Sequence, residues 1–381
     1  MKLIRKDELA ELLRDRWKLR CLEMAGVDNW TWYDQAMSDY EADEYTNDEL
    51  KRITMKLIKP YFEILEQKPR NIIIPSDMEI GPKMARQELI DTVYRQIEIA
   101  GRTCYKSEDK ITLDSAAKFV ERMVKSGHGA MLEHGTVYLF LTMSSRQQYF
   151  KYCSNPYSVA NSTGEAEKGT WNGFVTTNYR VLVENGWLED LEYICNPGKE
   201  HEKRITVRFV CDRGVSHEFV RHRVFSFAQE STRYCNYSKD KFGNELTFII
   251  PCWADSLALQ EVKGTIINHD EYGNLIGEYY YHLTGKGNPW FKPWEITPER
   301  NFIANLQISE QLYLELLNQG WKPQQARAVL PNSLKTELIM TGTLTQWDGF
   351  FKLRDAESAH PQARELAEPL HAEFRKKGWC E

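Results

Sequence analysis

The stretch Arg204–Tyr234, RITVRFVCDRGVSHEFVRHRVFSFAQESTRY, decides how the chain is read. Arg204–Asp212 alternates, with Ile205, Val207, Phe209 and Cys211 on one face, as a half-buried strand does. A helix from Val215 to about His222 follows. Arg221, His222, Arg223 and Arg233 are then interleaved with Val224, Phe225 and Phe227, so the segment is not a freely solvated basic tail. A guanidinium held beside an apolar face needs an anionic partner, because leaving it desolvated and unpaired is costly. Its forked donors suit phosphate, and Ser231 and Thr232 add hydroxyl donors. The alternative is internal ion pairing to Glu218 and Glu230, the usual outcome for an arbitrary Arg-His-Arg tripeptide.

Working outward, Thr136–Met143 reads as a β-branched and aromatic strand, expected to pair antiparallel with Arg204–Asp212. Between them, residues 144–203 are polar, with turns at Asn155-Pro156, Ser162–Gly169 and Asn196-Pro197-Gly198, and read as an insertion carrying a little helix near Tyr179–Glu189. Upstream, Lys56–Leu65 reads as a strand and Gln87–Gly101 as a helix with Leu89, Ile90, Val93, Ile97 and Ile99 in its stripe. Asp114 is placed to cap a second helix running through Ser126, with Ala117, Val120, Met123 and Val124 inward and Gly127 at its end. Downstream come a strand at Leu246–Cys252 and helices at Asn301–Gln319, Pro323–Leu344, Thr345–Leu353 and Pro361–Lys377, with Gly320 and Gly378 at helix ends. Strands and helices do not alternate in a βαβ rhythm, so the expected class is α+β. There is no internal repeat, GxGxxG or P-loop motif. Residues 1–54 read as a separate helical appendage of unknown role: Leu9, Leu12, Leu13 and Trp17 recur at helical spacing before the acidic run Asp39–Asp48.

Composition narrows the function. With 381 residues, 42% apolar and 27% charged, the chain has material for a core of ordinary size. A net charge of −6 argues against bulk electrostatic binding to nucleic acid or an anionic membrane, so an anionic small molecule would need a local basic pocket. The eight cysteines include no CxxC pair, which leaves zinc ribbons and thioredoxin-type sites without support; no metal site is expected. The charged start lacks a secretory h-region and no run of about 18 apolar residues occurs. A cytoplasmic protein with reduced thiols is expected.

Arg221-His222-Arg223, seven residues, then Ser231-Thr232-Arg233 resembles the signature of the flavin-dependent thymidylate synthase family. Further segments resemble that family in the same order. They are Gly101–Tyr105, Gly127-His128 through Glu133-His134, Gln325–Pro331 with its Ala326-Arg327, and Leu353-Arg354 followed by His360-Pro361-Gln362. The matches span roughly residues 55–379, which reads as one catalytic domain, 55–381, interrupted by the insertion at 144–203; residues 1–54 fall outside it.

The resemblance implies the family's α+β fold, an antiparallel-containing sheet with packed helices, and sites shared among the subunits of a homotetramer. It implies reductive methylation of dUMP to dTMP, with FAD as hydride carrier, NADPH as reductant and methylenetetrahydrofolate as carbon donor. Arg354 is the implied catalytic residue, facing the uracil and favouring ionisation at N3, since a fixed cation lowers the pKa of an adjacent N–H. Glu218, Arg221, Gln229, Glu230, Ser231, Thr232, Arg233, Arg327 and Arg354 are the implied dUMP residues. His128, Ala130, Glu133, Arg221, His222, Arg223, Thr343 and Thr345 are the implied FAD residues. Glu218 stands where relatives carry a glutamine. Ser231 has no Asp/His partner at a telling position and Cys235 nothing that marks an activated thiol, so neither is read as a nucleophile. Two rivals are an idle nucleotide- or FAD-binding regulator on the same fold and an RNA- or DNA-binding protein using the arginines on phosphates.

Overall fold

The computed structural model describes residues 55–68, 81–239, 245–254 and 298–380, so the expected appendage at 1–54 lies outside the described residues. The chain divides into two compact units, one formed by Met1–Ile58 with Asn236–Leu334, the other by Lys59–Cys235 with Lys335–Glu381.

The expected strand Lys56–Leu65 is two strands, β1 (Lys56–Ile58) and β2 (Tyr61–Leu65), in different sheets. Pro60 separates them; without an N–H it cannot serve an interior ladder. Helix α1 (Pro82–Tyr105) opens on proline and closes at Lys106, whose left-handed φ of 47° turns its N–H back onto the helix's last carbonyls. Helix α2 (Ser115–Lys125) packs on α1 so closely that a Cβ on Gly101 would lie 2.4 Å from the Phe119 ring. The stripe of α2 is Ala116, Phe119, Val120 and Met123, whereas Ala117 and Val124, expected inward, face out. The i, i+3, i+4, i+7 ladder starts one residue earlier than read. Asp114 occupies the cap position without a side-chain bond; Ser115 instead accepts from the Thr112 N–H at 2.9 Å.

After the short α3 (Gly129–Leu132) come β3 (Thr136–Thr142), α4 (Arg146–Cys153), β4 (Val159–Thr163), β5 (Asn172–Asn178) and α5 (Tyr179–Asn185). This overturns two expectations. Residues 144–203 are structured, and β3 pairs with β5, not with Arg204–Asp212, in a three-stranded antiparallel sheet ordered β3-β5-β4. The β4–β5 hairpin supplies β3 with a partner nearer in sequence, and Val137, Leu139 and Leu141 close on Val93, Ile97, Phe119, Tyr152 and Trp171.

The larger sheet is built from β6 (Arg204–Asp212) and, beyond α6 (Arg213–Phe219), from β7 (Ser226–Gln229). β8 (Thr247–Ile249), α7 (Pro298–Asn318) and α8 (Pro323–Ala326) belong to the first unit, where β8 runs parallel to β1 and α7 buries Ile303, Leu306 and Tyr313. The expected helix Pro323–Leu344 then fails. It gives way to a 3-10 turn at Arg327–Val329 and to strand β9 (Lys335–Thr343), followed by α9 (Leu344–Arg354) and α10 (Pro361–Lys376). β9 lies between β6 and β7 in the antiparallel order β2-β6-β9-β7 and is buried from Thr336 to Thr343, so it shows none of the alternation that marks a one-faced strand. On one sheet face, Val207, Phe209, Leu338 and Met340 meet Phe219, Trp347, Phe350, Leu366 and Phe374 from α6, α9 and α10. On the other, Ala228 and Ile339 meet Ala100 of α1. The class is α+β with antiparallel sheets, as expected.

Candidate active site

Local rules bring Arg354 to the Arg221–Arg223 turn. Asp212 caps α6 by accepting from the Val215 N–H at 2.6 Å, and Gln362 of α10 donates to its other oxygen at 2.6 Å. Past the end of α6, tight turns (His222 N–H to Phe219 O, 3.1 Å; Phe225 N–H to His222 O, 3.0 Å) lead into β7. Phe219 and Phe225 are buried among Trp347 and Phe350, while Arg221, Arg223 and Val224 remain exposed. Thr343 caps α9 by accepting from the Gln346 N–H at 3.2 Å, which places Arg354 at the last position of that helix.

There, Arg354 Nε donates to His222 Nε2 at 3.0 Å. One terminal nitrogen donates to the Glu218 carboxylate at 2.6 Å and the other to the Glu218 carbonyl, also at 2.6 Å. Arg221 reaches the same carboxylate at 3.0 Å. Three of the five guanidinium N–H groups of Arg354 are thus engaged, leaving two. His222 accepts only as a neutral ring. Burial, then the charge of Arg354, depress its pKa to about 4 against the opposing pull of Glu218.

The segment Gln229–Arg233 is fixed from behind. Gln229 donates to Ser216 Oγ of α6 at 2.8 Å and to Thr336 Oγ1 at 3.3 Å, tying the loop to the helix that carries Glu218. Glu230 is buried, its N–H bonded to Glu337 O at 2.8 Å and its carboxylate 2.9 Å from the Lys335 ammonium. Glu337 accepts from Lys335 at 2.6 Å and from Lys106 at 2.5 Å. Burial acts to raise Glu337, yet the two ammonium groups overcome it and hold its pKa near about 2. Ser231 N–H bonds Cys104 O at 3.0 Å and Ser231 Oγ accepts from the Arg233 N–H at 3.3 Å. Thr232 is buried, and the exposed Arg233 lies over the Tyr234 ring at 5.2 Å. Burial pushes the Cys104 thiol up, the opposite of an activated nucleophile.

A third group collects around Arg204, a residue that sequence reasoning missed. Its guanidinium donates to Glu133 O at 3.1 Å, Thr136 Oγ1 at 3.4 Å and Ser226 Oγ at 3.2 Å, and Arg204 pairs with Thr343 across the β6–β9 ladder. The signal was available: Arg204, Thr206 and Arg208 share the strand face opposite Ile205, Val207 and Phe209. Of the residues implied for FAD, Glu133 ion-pairs with Arg180 at 2.6 Å, while His128 and Ala130 are exposed at the start of α3. Thr345 donates both its N–H (3.0 Å) and its hydroxyl (2.9 Å) to Glu202. Arg327 is exposed in the first unit, opening its 3-10 turn. The structure therefore gathers Glu218, Arg221, His222 and Arg354 in one cluster, Gln229–Ser231 in an adjoining one, and Glu133 and Thr343 about Arg204. Among the described residues no group of three or more His, Cys, Asp or Glu could hold a metal ion, and no helix is long and apolar enough to cross a membrane.

Residues 200–378 match the family model of the thymidylate synthase complementing protein. Residues 1–49 match a second model, the Phage T7 gp5.9 RecBCD inhibitor. Similar curated proteins include the flavin-dependent thymidylate synthase of Pyrococcus furiosus, 26% identical over 211 residues that make up 54% of this chain and 70% of that protein. That of Corynebacterium glutamicum is 22% identical over 298 residues, 77% of each chain. A similar solved structure is a UMP/dUMP methylase from Streptomyces cacaoi bound with 5-Br dUMP, at 17% identity and a TM-score of 0.33, covering 84% of this chain and 93% of that one. The fold is α+β, with a cluster of arginines at the ends of α6 and α9 beside its larger sheet. Residues 200–378, just under half of the chain, thus resemble the thymidylate synthase complementing protein family, and the curated relatives are flavin-dependent thymidylate synthases.

Proposed function

We propose the following reading of the site. The protein is a flavin-dependent thymidylate synthase that methylates dUMP to dTMP, with methylenetetrahydrofolate as carbon donor and NADPH as the source of reducing equivalents. One observation carries the chemistry: Arg354 is held by His222 and Glu218 with two N–H groups to spare. A cation fixed in advance beside a pyrimidine N3–H favours the ionised ring without reorganising when charge develops. Gln229–Arg233 hold the nucleotide phosphate, with Ser231, Thr232 and Arg233 as donors and Glu230 setting the loop's path. Arg221 lies between the nucleotide and the flavin.

The residues present fit FAD. Arg221 and Arg223 are exposed next to exposed Val224 above buried Phe225, and Arg223 makes no ion pair among the described residues. Cationic and apolar surface side by side suits a pyrophosphate joined to a flat ring. FAD, once reduced, supplies the hydride that completes the methyl group. Arg223 and His222 would hold it, with His128, Ala130, Glu133, Thr343 and Thr345 toward its far end. The protein is a homotetramer in this reading, with Arg327 reaching the nucleotide of a neighbouring subunit.

The test is release of tritium from C5-labelled dUMP by the purified protein with folate donor and reductant. Folate-dependent release supports the enzyme. A yellow protein without release supports the idle regulator instead, and a colourless one retained on nucleic acid supports the phosphate-reading rival.

A second reading concerns residues 1–49 alone. Their match is to a RecBCD inhibitor family, and residues 21–49 carry nine acidic residues and no lysine or arginine. This segment acts as an acidic module that engages a basic, nucleic-acid-handling protein separately from the synthase. Inhibition of RecBCD nuclease by the full chain, lost on deleting residues 1–49 while tritium release persists, supports it; no inhibition by the full chain refutes it.

A further inference from the structure

Glu218 has a chemistry that its implied role as a nucleotide ligand does not explain, since a carboxylate repels an anionic nucleotide. Its surroundings supply another role. Glu218 lies one residue before the end of α6, where carbonyl groups lack helical partners and the helix dipole is negative. Arg354 takes the Glu218 carbonyl with one terminal nitrogen and the Glu218 carboxylate with the other, each at 2.6 Å. The second carboxylate oxygen holds Arg221 at 3.0 Å. From the far side, the neutral His222 ring accepts the Nε–H of Arg354 at 3.0 Å. These contacts come from three directions and fix the plane of the guanidinium, a group that otherwise turns about several single bonds. Side-chain exposures rank accordingly: 13% for Arg354, 28% for Glu218 and 70% for Arg221. Arg354 is the most buried of the three, and the Glu218 carboxylate links it to the exposed Arg221.

We propose that Glu218 is a positioning residue: a bridging counter-charge that holds the guanidinium groups of Arg354 and Arg221 side by side before any nucleotide arrives, instead of binding the nucleotide itself. Two cations left without a shared anion would repel and spread apart. With Glu218 between them they stay together, and the cluster keeps one net positive charge for an incoming anion. This inference rests on the reading of Arg354 as the group that meets the pyrimidine, and it explains why an acidic residue is tolerated there.

The test compares Glu218→Ala with Glu218→Gln in the FAD-loaded full chain, by steady-state tritium release and by ligand-free crystal structures. The Gln variant keeps an acceptor for Arg354 and the backbone carbonyl; the Ala variant keeps only the carbonyl. Glu218→Ala is expected to lower kcat at least tenfold with a smaller change in KM for dUMP, and Glu218→Gln to restore most of that loss. In the crystals, Arg354 should leave His222 in the Ala variant and stay within hydrogen-bond distance of it in the Gln variant. Retention of the Arg354–His222 bond in Glu218→Ala, a kcat within twofold of the parent, or a loss wholly in KM would each overturn the proposal, the last by making Glu218 a nucleotide ligand. Absence of turnover in the unmodified protein would sink the synthase reading instead, and the crystal comparison would still decide the role of Glu218.

Discussion

Two sets of charges border the same four-stranded sheet and are arranged differently. In the first, Lys335 is matched by Glu230 and Glu337, and Lys106 by Glu108 and Glu337, with little of any ammonium left to solvent. In the second, Arg354 and Arg221 share the one carboxylate of Glu218, and the third partner, His222, is neutral. The closed set has spent its charge on itself and shapes the loop Gln229–Arg233 from behind. The open set retains a net positive charge, and of its two guanidinium groups Arg221 is the one that faces solvent. Counting arginines and lysines therefore does not single out where an anion would be drawn; asking which cations lack a full complement of anions does.

The largest effect should come from breaking the closed set. Lys335→Met leaves Glu230 and Glu337 buried with one cation fewer, which is expected to cost about 3–5 kcal/mol in denaturant unfolding. Combining it with Glu230→Gln should return part of that loss. A Lys335→Met protein of parental stability would show that the set is not closed at all.

Breaking the open set should act on chemistry instead. Arg354→Ala is expected to lower turnover by about 10²–10³-fold, the usual effect of removing one preorganised donor, with FAD retained and the melting temperature nearly unchanged. Full turnover in that variant would refute its assignment.

Acid should open the second set before the first. The His222 pKa is depressed to about 4, below its unfolded value near 6.5, so between these values the unfolded chain takes up a proton that the folded one refuses. The stability from neutral His222 is present above pH 6.5 and is lost as pH falls through about 4. For a half-buried ring this amounts to about 1–2 kcal/mol. His222→Gln, which keeps an acceptor and cannot titrate, should flatten that part of the pH–stability curve. Glu337, held near about 2, keeps the closed set intact across the same window.

The smallest effect is expected at Arg180, whose pairs with Glu133 and Glu184 lie at the surface. Arg180→Ala should cost less than about 1 kcal/mol in the same unfolding experiment. A larger loss would make exposure a poor guide to which charged set matters.

The open set was legible in the sequence because its members carry their own spacing: Arg221 and His222 open a thirteen-residue motif that ends at Arg233, and Arg354 lies before His360-Pro361-Gln362. The closed set was not. Lys335 and Glu337 fell inside an expected helix, since the Glu337–Met340 run favours helix by intrinsic propensity and a strand buried on both faces gives no alternation to oppose it. The partner of β3 was hidden for a related reason. β4 and β5 are rich in Thr, Asn, Gly and Ser, and their pairing is set by contacts across the sheet that local composition does not report. Arg204 was passed over because its strand was read for its apolar face alone.

The central claim is that a nucleoside monophosphate binds next to the flavin, its pyrimidine on the open set and its phosphate on Arg233 of the adjoining loop. Titration of the FAD-loaded protein with dUMP, followed by the flavin absorbance spectrum, tests it most directly. A saturable spectral change in the parent, lost in Arg233→Ala at equal FAD occupancy, is the expected result. An unperturbed flavin spectrum in the parent, or the same titration curve in Arg233→Ala, would contradict it.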